Sequence, residues 1–119
     1  MSNPTKRNEC FPVSGVNHAT CCSETKYRNR DDLLLFVVDP GSHIFGCFTA
    51  STMPSAPVIW SKKNIKKNQK IAQRIVLLIN AGNANAFTGN QGQEACEKKA
   101  LALSKLYKCE RKNVFFAST

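Results

Sequence analysis

The first half of the chain carries short apolar runs separated by turn-forming residues, which is the pattern of strands. Residues 32–39 (DLLLFVVD) form the first compact run and are rich in strand-forming side chains. Because this run is apolar throughout, we expect both of its faces to be covered in the middle of a sheet. The turn Asp39-Pro40-Gly41-Ser42 then predicts a hairpin to a second strand at residues 44–49. Another short strand is expected near residues 15–20.

The second half predicts a strand, a helix and a strand in that order. Residues 74–80 (RIVLLIN) are the clearest strand, and residues 113–117 (NVFFA) read as the last one. Between them, a helix should begin near Asn90 or Gln91 and run to about Lys108. Its apolar side chains recur on one side: Cys96, Ala100, Leu103 and Tyr107. This order predicts a right-handed crossover between parallel strands, and therefore an α/β fold with a mixed β-sheet and a packed helix.

The region between the two halves has a weaker pattern. Residues 58–60 (VIW), which follow Pro54 and Pro57, are expected to be a short extended piece. The lysine-rich residues 61–70 have too little apolar periodicity for a buried helix. We therefore expect them to be a solvated loop or helix on the surface.

Composition and chain length limit the classes of protein to which this chain can belong. The 119 residues suit a single domain of globular composition, 42% apolar, with residues 1–10 irregular or disordered. The apolar runs are too short to cross a bilayer, and the polar start favours a cytoplasmic protein without a signal peptide. The six cysteines include an adjacent pair, Cys21-Cys22, and no C-x-x-C spacing. They are interpreted as reduced thiols, not as a disulfide framework or a zinc site.

The net charge of +9 lies in the second half of the chain. Residues 1–60 carry five basic and five acidic residues, whereas residues 61–119 carry twelve basic and three acidic ones. The densest basic part, residues 61–70 (SKKNIKKNQK), could attract phosphate backbones, but it contains no interleaved aromatic residues on which bases could stack. A solvated basic surface is favoured over a nucleic-acid site, and a basic nucleic-acid-binding protein stays as an alternative.

Few residues have the spacing of a catalytic or metal site. His18 and His43 have no evident partner, and the adjacent Asp31 and Asp32 should point apart and flank a strand. No metal is expected. The stretch NAGNANAFTGNQG (residues 80–92) differs, because its small residues and amides allow backbone N–H groups to approach another group closely. It is either a binding loop or an ordinary strand-to-helix connection. Its candidate site residues are Asn80, Gly82, Asn83 and Asn85.

Four motifs in order resemble one enzyme family. They are YRNRDDLLLFVVD, GCFTAST followed by SAPV, INAGNANAFTG with a following helix, and VFFAST at the end of the chain. Together they resemble the N-terminal part of the bifunctional glutamate N-acetyltransferase/ornithine acetyltransferase family of arginine biosynthesis, from about Phe11 onward. Ala81 stands where the family usually has serine.

The resemblance implies acetyl transfer from N-acetylornithine to glutamate through an acetyl-enzyme, without a cofactor; some members also use acetyl-CoA as a substrate. It implies that members cleave themselves to expose a nucleophilic threonine, which lies beyond these residues, and that the two halves form a heterodimer that pairs again. Thr119 matches the family's oxyanion-hole threonine, and the glycine that completes the hole is missing. The chain alone is therefore expected to be inactive, with Thr119 frayed. The alternative class is a noncatalytic remnant.

Overall fold

Four strands form one sheet in the order β1-β2-β3-β4. The computed structural model describes residues 12–24, 27–67, 72–82 and 89–119, so residues 1–10 lie outside the described part. The strands are β1 (Val16–Cys21), β2 (Leu33–Val38), β3 (Ile75–Asn80) and β4 (Val114–Ser118). The helices are α1 (Ala56–Lys67) and α2 (Gly89–Tyr107), with a short 3₁₀ turn at Arg111–Asn113.

The sheet is mixed, as predicted. Strand β2 is antiparallel to both of its neighbours, β1 and β3, and β4 lies parallel to β3. Helix α2 makes the crossover between those two strands, because parallel neighbours cannot be joined by a tight turn. The four strands expected near residues 15–20, 32–39, 74–80 and 113–117 and the helix expected from about residue 90 are confirmed. The α/β fold class is confirmed with them.

The predicted hairpin partner of β2 is wrong. Residues 44–49 form no strand, although the turn before them has the expected chemistry: Gly41 has φ of 90°, and Ser42 Oγ donates to the Asp39 carbonyl at 3.1 Å. The physical reason is that β2 already has β1 on one side and β3 on the other. No edge of β2 is left, so the segment crosses a face of the sheet instead, where Ile44 packs against the core.

The extended piece predicted at residues 58–60 is also wrong, because these residues lie inside α1. Its buried positions follow a helical period, but two of them are polar: Ser61 and Asn64 are buried and satisfy backbone carbonyls of Phe116 and Trp60. Polar residues at buried positions removed the apolar periodicity on which the prediction depended. Pro57 is tolerated because it stands in the first turn, where its missing N–H costs no hydrogen bond.

The sheet has two unequal faces. We call the face packed against α2 the helix face; it includes Val76, Val114 and Phe116, which cluster with Cys96 and Ala100 of the helix. The opposite side is the far face, and strand alternation assigns its residues. They are Val16, His18, Thr20, Leu34, Phe36, Val38, Ile75, Leu77, Ile79, Phe115 and Ala117.

Helix α1 closes the outer edge of β4. Trp60 Nε1 donates to the Val114 carbonyl at 2.7 Å, and Ser61 Oγ both donates to the Phe116 carbonyl at 2.8 Å and accepts from its N–H at 3.0 Å. These bonds satisfy backbone groups of an edge strand that would otherwise be free to pair with another strand. The polar residues of α1 therefore replace a fifth strand.

The described cysteines are unpaired thiols: Cys21, Cys22, Cys47, Cys96 and Cys109. Burial raises the pKa of the Cys96 and Cys109 thiols, so both remain protonated at neutral pH. Across the residues that the structure describes, we find no helix with the length and apolarity needed to cross a membrane.

Candidate functional site

The ends of β3 and β4 lie side by side at one edge of the sheet. Because the two strands are parallel, their last residues, Asn80 and Ser118, are paired in register. The ladder continues past both strands: the Thr119 N–H donates to the Asn80 carbonyl at 2.9 Å, and the Gly82 N–H donates to the Thr119 carbonyl at 3.0 Å. Ligands of α/β sheets bind at this carboxyl edge. The structure therefore brings Asn80, Gly82 and Thr119 together.

The backbone of Thr119 is hydrogen-bonded to the end of β3, whereas the sequence-based expectation was a frayed residue. Both of its backbone polar groups are bonded to residues of the β3 end. A frayed residue was expected because a terminal residue often has no neighbouring strand. Here Thr119, the residue after β4, is still hydrogen-bonded to residues at the end of β3. The Thr119 residue is exposed, and strand alternation directs its side chain to the far face, because Ser118 lies on the helix face with its partner Asn80.

A hydrogen bond between side chains joins the two strand ends. Ser118 Oγ donates to Asn80 Oδ1 at 2.5 Å, and both residues are half-buried. This bond uses the amide oxygen of Asn80 on the helix face, so the Asn80 carboxamide holds the neighbouring strand while its backbone carbonyl holds Thr119. Asn80 therefore bonds to both Ser118 and Thr119.

Asp32 ties the start of β2 to the same edge. Its backbone carbonyl accepts from the Ala81 N–H at 2.8 Å, and its carboxylate accepts from the Ser23 N–H at 2.6 Å and from Ser23 Oγ at 2.5 Å. Asp32 is buried, and the two bonds from Ser23 lower the pKa of its carboxyl below the ordinary value. The interpretation of Asp31 and Asp32 as residues flanking a strand holds. The link from Asp32 to Ala81 was missed, because it depends on the pairing of β2 with β3.

Glycine is required at one point of the connection after β3. Gly82 has φ of 92°, in the left-handed region that disfavours residues with a Cβ. Its N–H can therefore turn toward Thr119 directly after the strand ends. Helix α2 begins at Gly89 and must run back from this edge, since it connects two parallel strands. The candidates Asn83 and Asn85 lie outside the described residues.

Neither histidine belongs to this edge. The His18 ring lies opposite Phe36 with 6.2 Å between ring centroids, and the His43 ring stacks on Phe45 at 6.4 Å. Within residues 12–24, 27–67, 72–82 and 89–119, no three His, Cys, Asp or Glu side chains are grouped so as to hold a metal ion. Among the described residues, the edge presents hydroxyl, amide and backbone N–H donors together with the Asp32 carboxylate.

A scan against protein-family models matches residues 17–119 to the model described as the ArgJ family. The chain belongs to the ArgJ family. The resemblance drawn from the four motifs is thereby confirmed, and the match extends over both strand ends of the candidate site, including Thr119.

Curated ArgJ relatives are similar along nearly the whole chain but are much longer. The arginine biosynthesis bifunctional protein ArgJ of Nitrobacter winogradskyi is 36% identical over 116 residues, which are 98% of this chain and 28% of that protein. The protein of the same name from Rhizobium meliloti is 43% identical over 107 residues, which are 90% of this chain and 25% of that protein. The chain thus spans about a quarter of the length of the curated relatives that it matches.

Two solved structures share the fold. The arginine biosynthesis bifunctional protein ArgJ of Bacillus halodurans superposes with a TM-score of 0.79 at 22% identity, covering 89% of this chain and 53% of that one. The ornithine acetyltransferase of Mycobacterium tuberculosis, solved in complex with ornithine, superposes with a TM-score of 0.73 at 27% identity. It covers 89% of this chain and 56% of that one. The mixed sheet with its packed helices is therefore the fold of the matching part of ArgJ proteins.

Proposed function

We propose that this chain supplies one part of the active site of an acetyltransferase that moves the acetyl group from N-acetylornithine to glutamate in arginine biosynthesis. Membership of the ArgJ family supports the pathway. The names of the relatives, arginine biosynthesis bifunctional protein and ornithine acetyltransferase, support the reaction class. In this proposal acetyl-CoA is a second acetyl donor for glutamate, and the protein uses no cofactor.

The observation that carries the proposal is the fixed backbone of Thr119. Two hydrogen bonds, one to the Asn80 carbonyl and one from the Gly82 N–H, hold it beside the end of β3. Its hydroxyl would donate to the acetyl oxygen as negative charge develops there. A donor held in place before the reaction stabilises that charge without a reorganisation cost. Asn80 and Gly82 would then act through Thr119 and not on the substrate itself.

The proposal assigns the attacking group to the portion of an ArgJ polypeptide that this chain does not include. A threonine hydroxyl there would attack the acetyl carbon of N-acetylornithine, with an amino group taking the hydroxyl proton and passing it to the departing ornithine nitrogen. The acetyl-enzyme would then be attacked by the amine of glutamate. That second step breaks the ester bond, releases N-acetylglutamate and restores the hydroxyl.

The same proposal covers the assembly. Residues 1–119 would form a single partial domain that associates with the remaining portion, and two such heterodimers would pair. The reaction would take place in the cytoplasm. We define the remaining portion for experiments as the part of the Rhizobium meliloti relative that lies outside the segment matched by this chain.

The test is a reconstitution assay for acetyl transfer from N-acetylornithine to glutamate. The purified chain alone is expected to give no turnover, because it lacks the attacking threonine. The chain with the remaining portion is expected to produce N-acetylglutamate and ornithine in equal amounts. Turnover by the chain alone would contradict the assignment of the nucleophile, and a stable complex without turnover would favour a noncatalytic remnant.

A further inference from the structure

A cleft lies between the outer side of helix α1 and the loop that precedes this helix. The helix buries Trp60, Ser61 and Asn64, and its opposite side faces residues 49–54 across a cavity of about 490 Å³. A volume of this size is within the range of small-molecule sites. We call this cavity the lysine cleft.

The charged residues of the lysine cleft are all positive. Lys62, Lys63 and Lys66 line it, and no acidic residue does so among the residues that the structure describes. The three lysines share one side of α1, because they are one, three and four residues apart. No described carboxylate forms an ion pair with any of the three, since the ion pairs in the described residues belong to Arg111 and Lys112.

A second cavity, which Lys63 also lines, has balanced charges. Its lining includes Arg111 and Lys112 together with Glu97 and Glu110, and each of these cations is 3.4 Å from a carboxylate. The lysine cleft has no such compensation. Like charges four residues apart on a helix, as Lys62 and Lys66 are, repel each other and destabilise the helix. A bound anion would remove this repulsion.

Two hydroxyl groups face the lysines from the loop side of the cleft. Thr49 Oγ1 accepts from the Ser51 N–H, and Ser51 Oγ accepts from the Met53 N–H, each at 3.2 Å. These bonds fix the two oxygens as acceptors, so each O–H can donate to a ligand. The loop thus adds hydrogen-bond donors to the positive charge of the helix.

The rest of the lining is apolar. Pro54, Val58 and Ile59 lie in the same cleft, and Ile59 is 39% exposed although its side chain is large and apolar. A site that combines apolar surface with a few converging polar groups is typical of small-molecule binding. The ligand should therefore have an apolar group as well as negative charge.

We propose that the lysine cleft binds a small organic phosphate with several negative charges and an apolar group, the class that includes nucleoside diphosphates. Three ammonium groups match a multiply charged phosphate, whereas a single carboxylate would leave two of them uncompensated. Lysine binds phosphate as a point charge. A nucleic-acid strand fits less well, because the cleft has no aromatic side chain on which successive bases could stack. This site is separate from Thr119 and from acetyl transfer.

The test is calorimetric titration of the purified chain with three probes: ADP, pyrophosphate and adenosine. ADP carries both the charge and the apolar group, pyrophosphate carries the charge alone, and adenosine lacks the charge. We expect ADP to bind most tightly and its affinity to fall as salt is added, because salt screens exposed charges.

Substitutions in the cleft should separate the two contributions. Lys62→Gln and Lys66→Gln should each weaken ADP binding about 5-fold, and the double variant about 25-fold. Ile59→Ala should weaken ADP binding about 5-fold and leave pyrophosphate binding unchanged, because it removes only apolar contact. The control is Lys105→Gln, which removes one charge from an exposed position of α2 outside the cleft and should leave ADP binding unchanged.

Four results would overturn the proposal. The first is the absence of ADP binding, and the second is a loss of affinity in K105Q equal to that in K62Q, which would indicate nonspecific attraction. The third is pyrophosphate binding as tight as that of ADP, because the apolar wall would then contribute nothing. The fourth is tight binding of a single-stranded oligonucleotide by a chain that does not bind ADP, which would favour a nucleic-acid surface.

Discussion

The two faces of the sheet are built from the same apolar strands but reach different degrees of burial. On the helix face, Val76 and Val114 are completely buried under α2. On the far face, cover ends past Phe115, and Ala117 is exposed. Burial of apolar area is the main favourable term in folding. The helix face should therefore supply most of the stability of this chain.

Polar residues also have different roles in the two regions. Ser61 and Asn64 are buried near the helix face and satisfy backbone groups, so they serve the fold. Asn80 and Thr119 lie at the carboxyl edge, where they hold a strand end in place beside an open surface.

The largest expected effect tests the difference between the faces directly. Phe116→Ala should lower the free energy of unfolding by about 3–5 kcal/mol, because it leaves a cavity beside the Trp60 ring, 5.9 Å away between centroids. Phe36→Ala on the far face should cost less than about half of that, because Phe36 is only half-buried. Urea unfolding measures both. The pair Val76→Ala and Val38→Ala compares the two faces in the same way with a smaller deletion. Equal losses of unfolding free energy on the two faces would contradict the expected difference.

A smaller effect is expected where α1 closes the edge of β4. Ser61→Ala leaves the buried N–H and carbonyl of Phe116 without their partner, which should cost about 1–3 kcal/mol of unfolding free energy. The control is Ser42→Ala, which removes an exposed hydroxyl that donates to the Asp39 carbonyl. We expect the control to stay within about 0.5 kcal/mol of wild type. A similar loss in both variants would show that Ser61 does not close the edge.

The smallest effect concerns Asp32 and pH. The pKa of the Asp32 carboxyl in the folded chain lies below the ordinary value of 3.8. The ionised carboxyl therefore stabilises the fold fully above pH 3.8, and this contribution is lost as pH falls through the lower pKa of the folded chain. Asp32→Asn should therefore reduce stability at neutral pH and flatten the decline of stability that sets in as pH falls below the ordinary carboxyl pKa of 3.8. The control is Asp31→Asn, which alters the neighbouring carboxyl that accepts from Thr20 Oγ1. An unchanged pH profile in D32N would contradict the role of Ser23.

The secondary structure was predictable wherever the side chains of a segment determine by themselves whether it forms a strand or a helix. Strand β3 and helix α2 follow from an apolar run and from a 3.6-residue period, and both are confirmed. Helix α1 was not predictable, because Ser61 and Asn64 occupy buried positions that become favourable only when the carbonyls of Phe116 and Trp60 are beside them. The segment at residues 44–49 was not predictable either, since its structure depends on which edges of β2 are free.

The candidate site shows the same division. The small residues after β3 indicated a loop that permits close backbone approach, and Gly82 adopts the left-handed conformation there. The hydrogen bonds of Thr119 with Asn80 and Gly82 follow from parallel pairing of two strands, β3 and β4, that are separated by the 33 residues 81–113. No local pattern records that pairing. The same holds for the bond between Ala81 and Asp32.

The central claim is that the Thr119 hydroxyl stabilises the developing oxyanion. Its most direct test is the rate of acetyl transfer in the reconstituted complex for Thr119→Val, which keeps the shape of the side chain, and for Thr119→Ser, which keeps the hydroxyl. We predict that T119V lowers kcat by about 100- to 1,000-fold with little change in the affinity for the remaining portion, whereas T119S retains most of the activity. An unchanged kcat in T119V would contradict the account.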